Sequence, residues 1–347
     1  MKTPRLITIV IVALVTISMC LSVTQAQAQL VPFYRWNGDD HACATGLSGE
    51  SAISLSFWNE VIASCVGKNM VTVLLTFDDG PEGDEYGFNS TVSVLDTLND
   101  NNVQSEIKAI FFTLTHGPQW GGSQLGEDLL KRERTDGHVS SIHGGGKGAS
   151  SPHLLFGRHT WRASSTTKPY PIGSCGEVLK EGNPIGRNAL ESDLVAAIRR
   201  LKCIYADPNY NPEFVRPPGY FYNDNSLEAY NSQAVKCELG NCDGDGLKMI
   251  LSDNQGIGDA GGPGPPPFLI SKTLRASVKN CLQRKIYDIV LTLHDSNNIT
   301  ARNLVRYLNE IRLAAEEEGY AVRFVVSAVE ARTILNKRWS EGNWQWK

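Results

Sequence analysis

The sequence predicts an α/β protein, a distorted parallel (β/α) barrel of about seven to eight strands with a short N-terminal extension. Three observations carry this reading. From residue 70 onward, strand-like apolar runs alternate with segments whose apolar positions recur at helical spacing. The strand-like runs are apolar almost throughout, as in parallel strands buried on both faces. Unusual polar residues fall at the carboxyl ends of those runs, and in a parallel barrel those ends share one rim.

The elements follow in order. Residues 71–77 form a β-branched, apolar strand that stops at Asp78-Asp79, because Gly80-Pro81 cannot continue it. A helix over 92–101 leads to a second strand at 107–114, and a helix around 124–134 leads to a short strand at 138–142. Residues 188–205 form an amphipathic helix with Leu190, Leu194, Ala197, Ile198 and Leu201 on one face. A short run at 213–216 enters Pro217-Pro218-Gly219, and 247–251 is a further strand. Then come a helix at 272–284, a buried-type strand at 286–293, a helix at 301–319 and a last strand at 321–328. The Gly/Pro-rich tracts 144–151 and 261–267 read as loops, and no internal repeat is present.

Ahead of this unit, Lys2 and Arg5 precede an uncharged, mostly apolar stretch at 6–23. Ala26-Gln27-Ala28 then supplies small residues for cleavage, so 1–28 is expected to be a signal peptide, with an uncleaved anchor as the alternative. The expected division is leader 1–28, extension 29–69, barrel 70–335 and C-terminal tail 336–347, in a secreted, extracellular or periplasmic protein with no membrane contact after cleavage. A net charge of -4 with 20% charged residues leaves no footprint for nucleic acid. Without Cys20, seven cysteines remain, an odd number, and Cys43–Cys65 and Cys237–Cys242 are the expected disulfides. Asn89-Ser90-Thr91 and Asn298-Ile299-Thr300 are sequons.

Within a strand, Asp78 and Asp79 would point to opposite faces; where the strand ends, both can reach one cavity. That suits a metal ligand beside a general base, against the plainer reading of an acidic turn. His143, Arg216, Asp253 and His294-Asp295 end or follow other predicted strands. Any one of these is more often packing than chemistry. Together on one rim they point to a catalytic site.

Thr76-Phe77-Asp78-Asp79-Gly80-Pro81, Gly137-His138 through His143, Arg216-Pro217-Pro218-Gly219 and Leu293-His294-Asp295 resemble, in order, the motifs of NodB-homology polysaccharide deacetylases, carbohydrate esterase family 4. Ala109-Ile110-Phe111-Phe112 is similar to a further strand of that family. The resemblance implies one divalent metal ion, usually zinc, with Asp79 and His143 as ligands. It implies Asp78 as the base that takes a proton from water and His294 as the acid that protonates the leaving amine. Arg216 would orient Asp78, Asp253 or Asp259 would tune His294, and the backbone near Gly219 or Tyr220 would stabilise the oxyanion. The implied partner is an acetylated polysaccharide or oligosaccharide, chitin-like or peptidoglycan.

Two motifs depart from the family. Its second histidine stands four residues after the first, where this chain has Lys147, whose ammonium has no lone pair for a metal. His153 in Ser151-Pro152-His153-Leu154-Leu155 is the favoured replacement, as if a Gly-rich insertion separated the pair, and His159 is the alternative. The fourth motif lacks its tryptophan; Trp120 and Trp161 are the aromatic candidates for stacking on sugar rings. The alternatives to N-deacetylation are an esterase for O-acetylated polysaccharide such as xylan, and a non-catalytic glycan-binding homologue with a degraded metal site.

Overall fold

The structure, a computed structural model, describes residues 69–81, 90–100, 106–115, 123–144, 175, 187–220, 222, 224–254 and 266–342. Among these, seven parallel strands and their helices alternate along the chain. They are β1 (Met70–Asp78), α1 (Ser90–Asn99), β2 (Ile110–Thr113), α2 (Gln124–Thr135), β3 (Val139–His143) and α3 (Arg187–Ile204). After β4 (Phe214–Arg216) and a short 3-10 turn (Pro218–Tyr220) come α4 (Asp224–Tyr230), α5 (Gln233–Glu238) and β5 (Lys248–Met249). The chain ends in α6 (Pro267–Gln283), β6 (Asp288–His294), α7 (Asn298–Glu317), β7 (Ala321–Phe324) and α8 (Ala328–Ser340). No helix among the described residues is long and apolar enough to cross a membrane.

The sheet runs β5-β4-β3-β2-β1-β6, curled as a partial barrel, with β7 paired to the first half of β1. Two-residue periodicity divides the core. Val71, Val73, Leu75 and Phe77 of β1 pack with α1, α6 and α7, while Leu74 faces Ile110, Phe112, Phe214 and Val290 in a second cluster. Thr76 and Asp78 share the face of Leu74. The free edge of β6 is satisfied by side chains of the chain leaving β5. The Asn254 amide donates to Thr292 O at 2.8 Å and accepts from Thr292 N–H at 2.7 Å, and the Asp253 carboxylate accepts from Val290 N–H at 2.8 Å. Without these bonds a buried edge would leave backbone groups unsatisfied.

Helix α8 closes the rim away from the site. Lys337 pairs with Asp288 at the start of β6, and Asn336 bonds Lys248 at the start of β5 and Glu213 just before β4. Its Ala331, Ile334 and Leu335 pack on the inner cluster. This corrects two expectations: the last strand ends at Phe324 instead of 328, and residues 336–340 belong to a packed helix. Ser327 starts that helix by accepting from Glu330 N–H at 3.1 Å, an N-cap signal inside what looks like strand sequence.

Cys237–Cys242 is bonded as expected, and Cys175 pairs with Cys203 on α3. Cys281 is buried and unbonded. Cys43 and Cys65 lie outside the described residues, as do the expected leader 1–28 and nearly all of the expected extension 29–69.

Candidate active site

β1 ends where Asp79 takes a left-handed backbone (φ 68°) ahead of a cis Gly80-Pro81 bond. That turn, instead of a continued pleat, lets two adjacent carboxylates meet partners on one rim, Arg216 for Asp78 and His143 and His294 for Asp79. Asp78, on the inner face, is 4% exposed and accepts from Arg216 Nη1 at 2.7 Å. Arg216 is fully buried. The same Nη1 donates to Thr76 Oγ1 at 2.7 Å, and Nε and Nη2 donate to the Ile250 and Leu251 carbonyls at 3.3 Å. Its guanidinium lies 4.0 Å from the centroid of the Phe112 ring. A buried charge needs this degree of pairing, and the result is a carboxylate with one permitted position.

Asp79 meets two histidines, from the ends of β3 and β6. His143 Nε2 lies 3.1 Å from Asp79 Oδ1, and His294 Nε2 lies 3.7 Å from Asp79 Oδ2. The register explains the gathering, since Asp78 pairs with His294 across β1–β6 and His143 with Arg216 across β3–β4. His143 Nδ1 is buried with no hydrogen-bond partner among the described residues.

Under the turn sits Asp295, fully buried, its Oδ2 accepting from Thr91 Oγ1 at 2.7 Å. Burial first, with the charge of Asp79 adding and the Thr91 bond opposing, pushes its carboxyl up to about 7. Gly80 makes room for it: a Cβ there would lie 1.9 Å and 2.3 Å from the two carboxylate oxygens.

The turn after β4 has left-handed Gly219 and Tyr220, both at φ 59°. The Tyr220 N–H is committed to Pro217 O at 3.0 Å, and its hydroxyl shares a 2.7 Å bond with Ser252. Asp253 is not brought to His294. Its carboxylate is held by Arg338 of α8 and accepts from Val290 N–H, partners that do not include His294. Asp259, His153, His159, Lys147, Trp120 and Trp161 lie outside the described residues.

His138, part of the second motif, is structural. Its Nδ1 accepts from Ala109 N–H at 3.2 Å, and its ring meets Phe111 edge-on. Burial first, then the charges of Lys108 and Arg132, lowers its pKa to about 3. The unfolded chain, at an ordinary histidine value near 6.5, binds this proton first. The stabilising effect of neutral His138 is therefore complete above about pH 6.5 and lost as pH falls toward 3, at up to about 1.4 kcal/mol per pH unit. Urea denaturation of wild type and His138→Gln between pH 7 and pH 4 checks this: the variant should show a shallower acid loss.

Among the described residues no set of three His, Cys, Asp or Glu groups is arranged to hold a metal ion. Asp79 and His143 do supply two donors of the kinds that zinc takes, a carboxylate and an imidazole.

Residues 66–237 match the family model described as polysaccharide deacetylase. No curated protein matches the sequence. Similar solved structures include the T48 deacetylase with substrate, at 14% identity over 76% of this chain and 92% of that one, with a TM-score of 0.44. The polysaccharide deacetylase Bc1974 from Bacillus cereus is 17% identical over 74% and 91%, with a TM-score of 0.43. The catalytic domain of peptidoglycan N-acetylglucosamine deacetylase from Eubacterium rectale is 18% identical over 76% and 91%, also with a TM-score of 0.43.

Proposed function

The chain belongs to the polysaccharide deacetylase family, hydrolases of acetylated polysaccharide, and on that premise we propose that it is a secreted, metal-dependent enzyme removing N-acetyl groups from polymers or oligomers of N-acetylglucosamine. The observation that carries this reading is the Asp78–Arg216 pair, fixed beside Asp79, His143 and His294 at the carboxyl ends of β1, β3, β4 and β6. Asp79 and His143 would hold the ion, zinc in the first instance, with His153 as third ligand. When bound, the metal polarises the acetyl carbonyl and acidifies a water molecule.

The chain's own residues supply the proton movements. Asp78 accepts a proton at the carboxylate that Arg216 orients, and the buried Arg216 balances its charge. His294, 17% exposed, stands across Asp79 from His143 and delivers a proton to the leaving amine, which departs poorly as an anion. With the Tyr220 amide committed to Pro217, the Gly219 N–H is the donor left in this turn for the developing oxyanion. The leader at 1–28 supports secretion.

The test is acetate release by protein stripped with chelator and reloaded with zinc, offered chitooligosaccharides, peptidoglycan and acetylxylan. Zinc-restored release from an N-acetylated substrate is expected, with His153→Ala lowering zinc affinity at least tenfold. Release from acetylxylan alone would move the assignment to an O-acetyl esterase. No bound zinc and no release would leave a glycan-binding homologue.

A further inference from the structure

The chain leaves β3 through Gly144, the residue after His143, in a backbone conformation (φ 148°) that favours glycine. Both of its backbone groups are held. Its N–H donates to Arg216 O at 2.5 Å, and its carbonyl accepts from the Tyr230 hydroxyl at 2.9 Å. Tyr230 comes from the end of α4, 86 residues away, and is completely buried. Its own backbone is fixed in turn: Leu247 N–H donates to Tyr230 O at 3.0 Å, and Gly246 packs so closely that a Cβ there would lie 2.1 Å from that oxygen. The hydroxyl is thus presented on a rigid mount.

We propose that Tyr230 is a positioning residue for the active site, clamping Gly144 so that His143 keeps its imidazole toward Asp79. His143 is the last residue of its strand, paired across the sheet with Arg216, so its direction depends on the peptide that follows. The clamp turns that peptide into a fixed point set from two sides: Arg216, which also holds Asp78, and Tyr230. It thereby links the metal-ligand and base halves of the site. This deepens the metal-site reading above and rests on it for the role of His143.

Tyr230→Phe tests the clamp, since it removes one oxygen and leaves the ring in its packing. In the metal-free protein, the Gly144 amide should exchange with solvent at least tenfold faster, and the His143 ring signals should shift in NMR spectra while His138 signals stay in place. Zinc titration should show affinity at least fivefold weaker than wild type, with zinc-loaded kcat reduced more than KM is raised. Unchanged Gly144 exchange and His143 signals would overturn the proposal, as would a lowered melting temperature with both of those intact. Wild type that binds no zinc would remove the metal-site reading, while the metal-free measurements still decide the clamp.

Discussion

Gly80→Ala is expected to lower acetate release by roughly 100-fold or more and to destabilise the fold by about 1–3 kcal/mol. Backbone strain has no part in this, since Gly80 has no positive φ. The cause is steric. The added methyl would occupy the place of the Asp295 carboxyl, which is fully buried and tied to Thr91, and so has no solvent to swing into. The turn carrying Asp79 must then move, and Asp79 has to hold its relation to His143 at 3.1 Å. Pairing the change with Asp295→Ala removes the obstacle, so the double variant should be more stable than the sum of the single effects. Urea denaturation of the four proteins measures the coupling, and additive effects would contradict this packing.

Arg216→Met is expected to be the more damaging of the two to stability, at about 3–5 kcal/mol, because it leaves Asp78 ionised and buried without its cation. Four hydrogen bonds from one guanidinium disappear together, including those that satisfy the Ile250 and Leu251 carbonyls. Activity should fall to background. Adding Asp78→Asn removes the stranded charge, so Asp78→Asn/Arg216→Met should regain much of the stability and none of the acetate release. That split between folding and turnover distinguishes a catalytic carboxylate held by its partner from a pair that serves structure alone.

Much of this arrangement was legible in the sequence because it is local. A strand that ends in Asp-Asp-Gly-Pro, or in Leu-His-Asp, announces both its end and its polar terminus, and parallel pairing then brings Asp78, Asp79, His143, Arg216 and His294 to one rim. The pieces that depended on distant partners were not legible. Asp253 follows a strand like the others, yet Arg338, 85 residues later, draws it into structural work. The sequence pattern carries the last strand past Phe324 to 328, since Val322, Val325 and Val326 continue the β-branched run to the Ser327 cap, and it gives no helical signal over 329–340. Helices α4 and α5 are too short for a periodic signal, and with α4 went Tyr230. Cys203 sits within a clear helical pattern that gives no hint of a bond to Cys175.

The placement of β1 has a consequence for how the molecule comes into being. The first of the described strands is flanked by β6 on one side and, on the other, by β7 over its first half and β2 at its end. Its Thr76 hydroxyl donates to Leu291 O, 215 residues away. Neither β6 nor β7 exists until nearly the whole chain has been synthesised, so β1 waits with its β6 edge and the β7 part of its other edge open, while β1 to β5 can already pair through β2. Closing so long a loop carries a large entropic cost before any contact rewards it, which makes the final zipping of β1 a slow, late event. The candidate active-site rim is completed in that same event, because Asp78 and His294 are opposed only when β1 and β6 meet. An emerging chain therefore lacks the complete candidate site, which is assembled only after Asp288–His294 has been made.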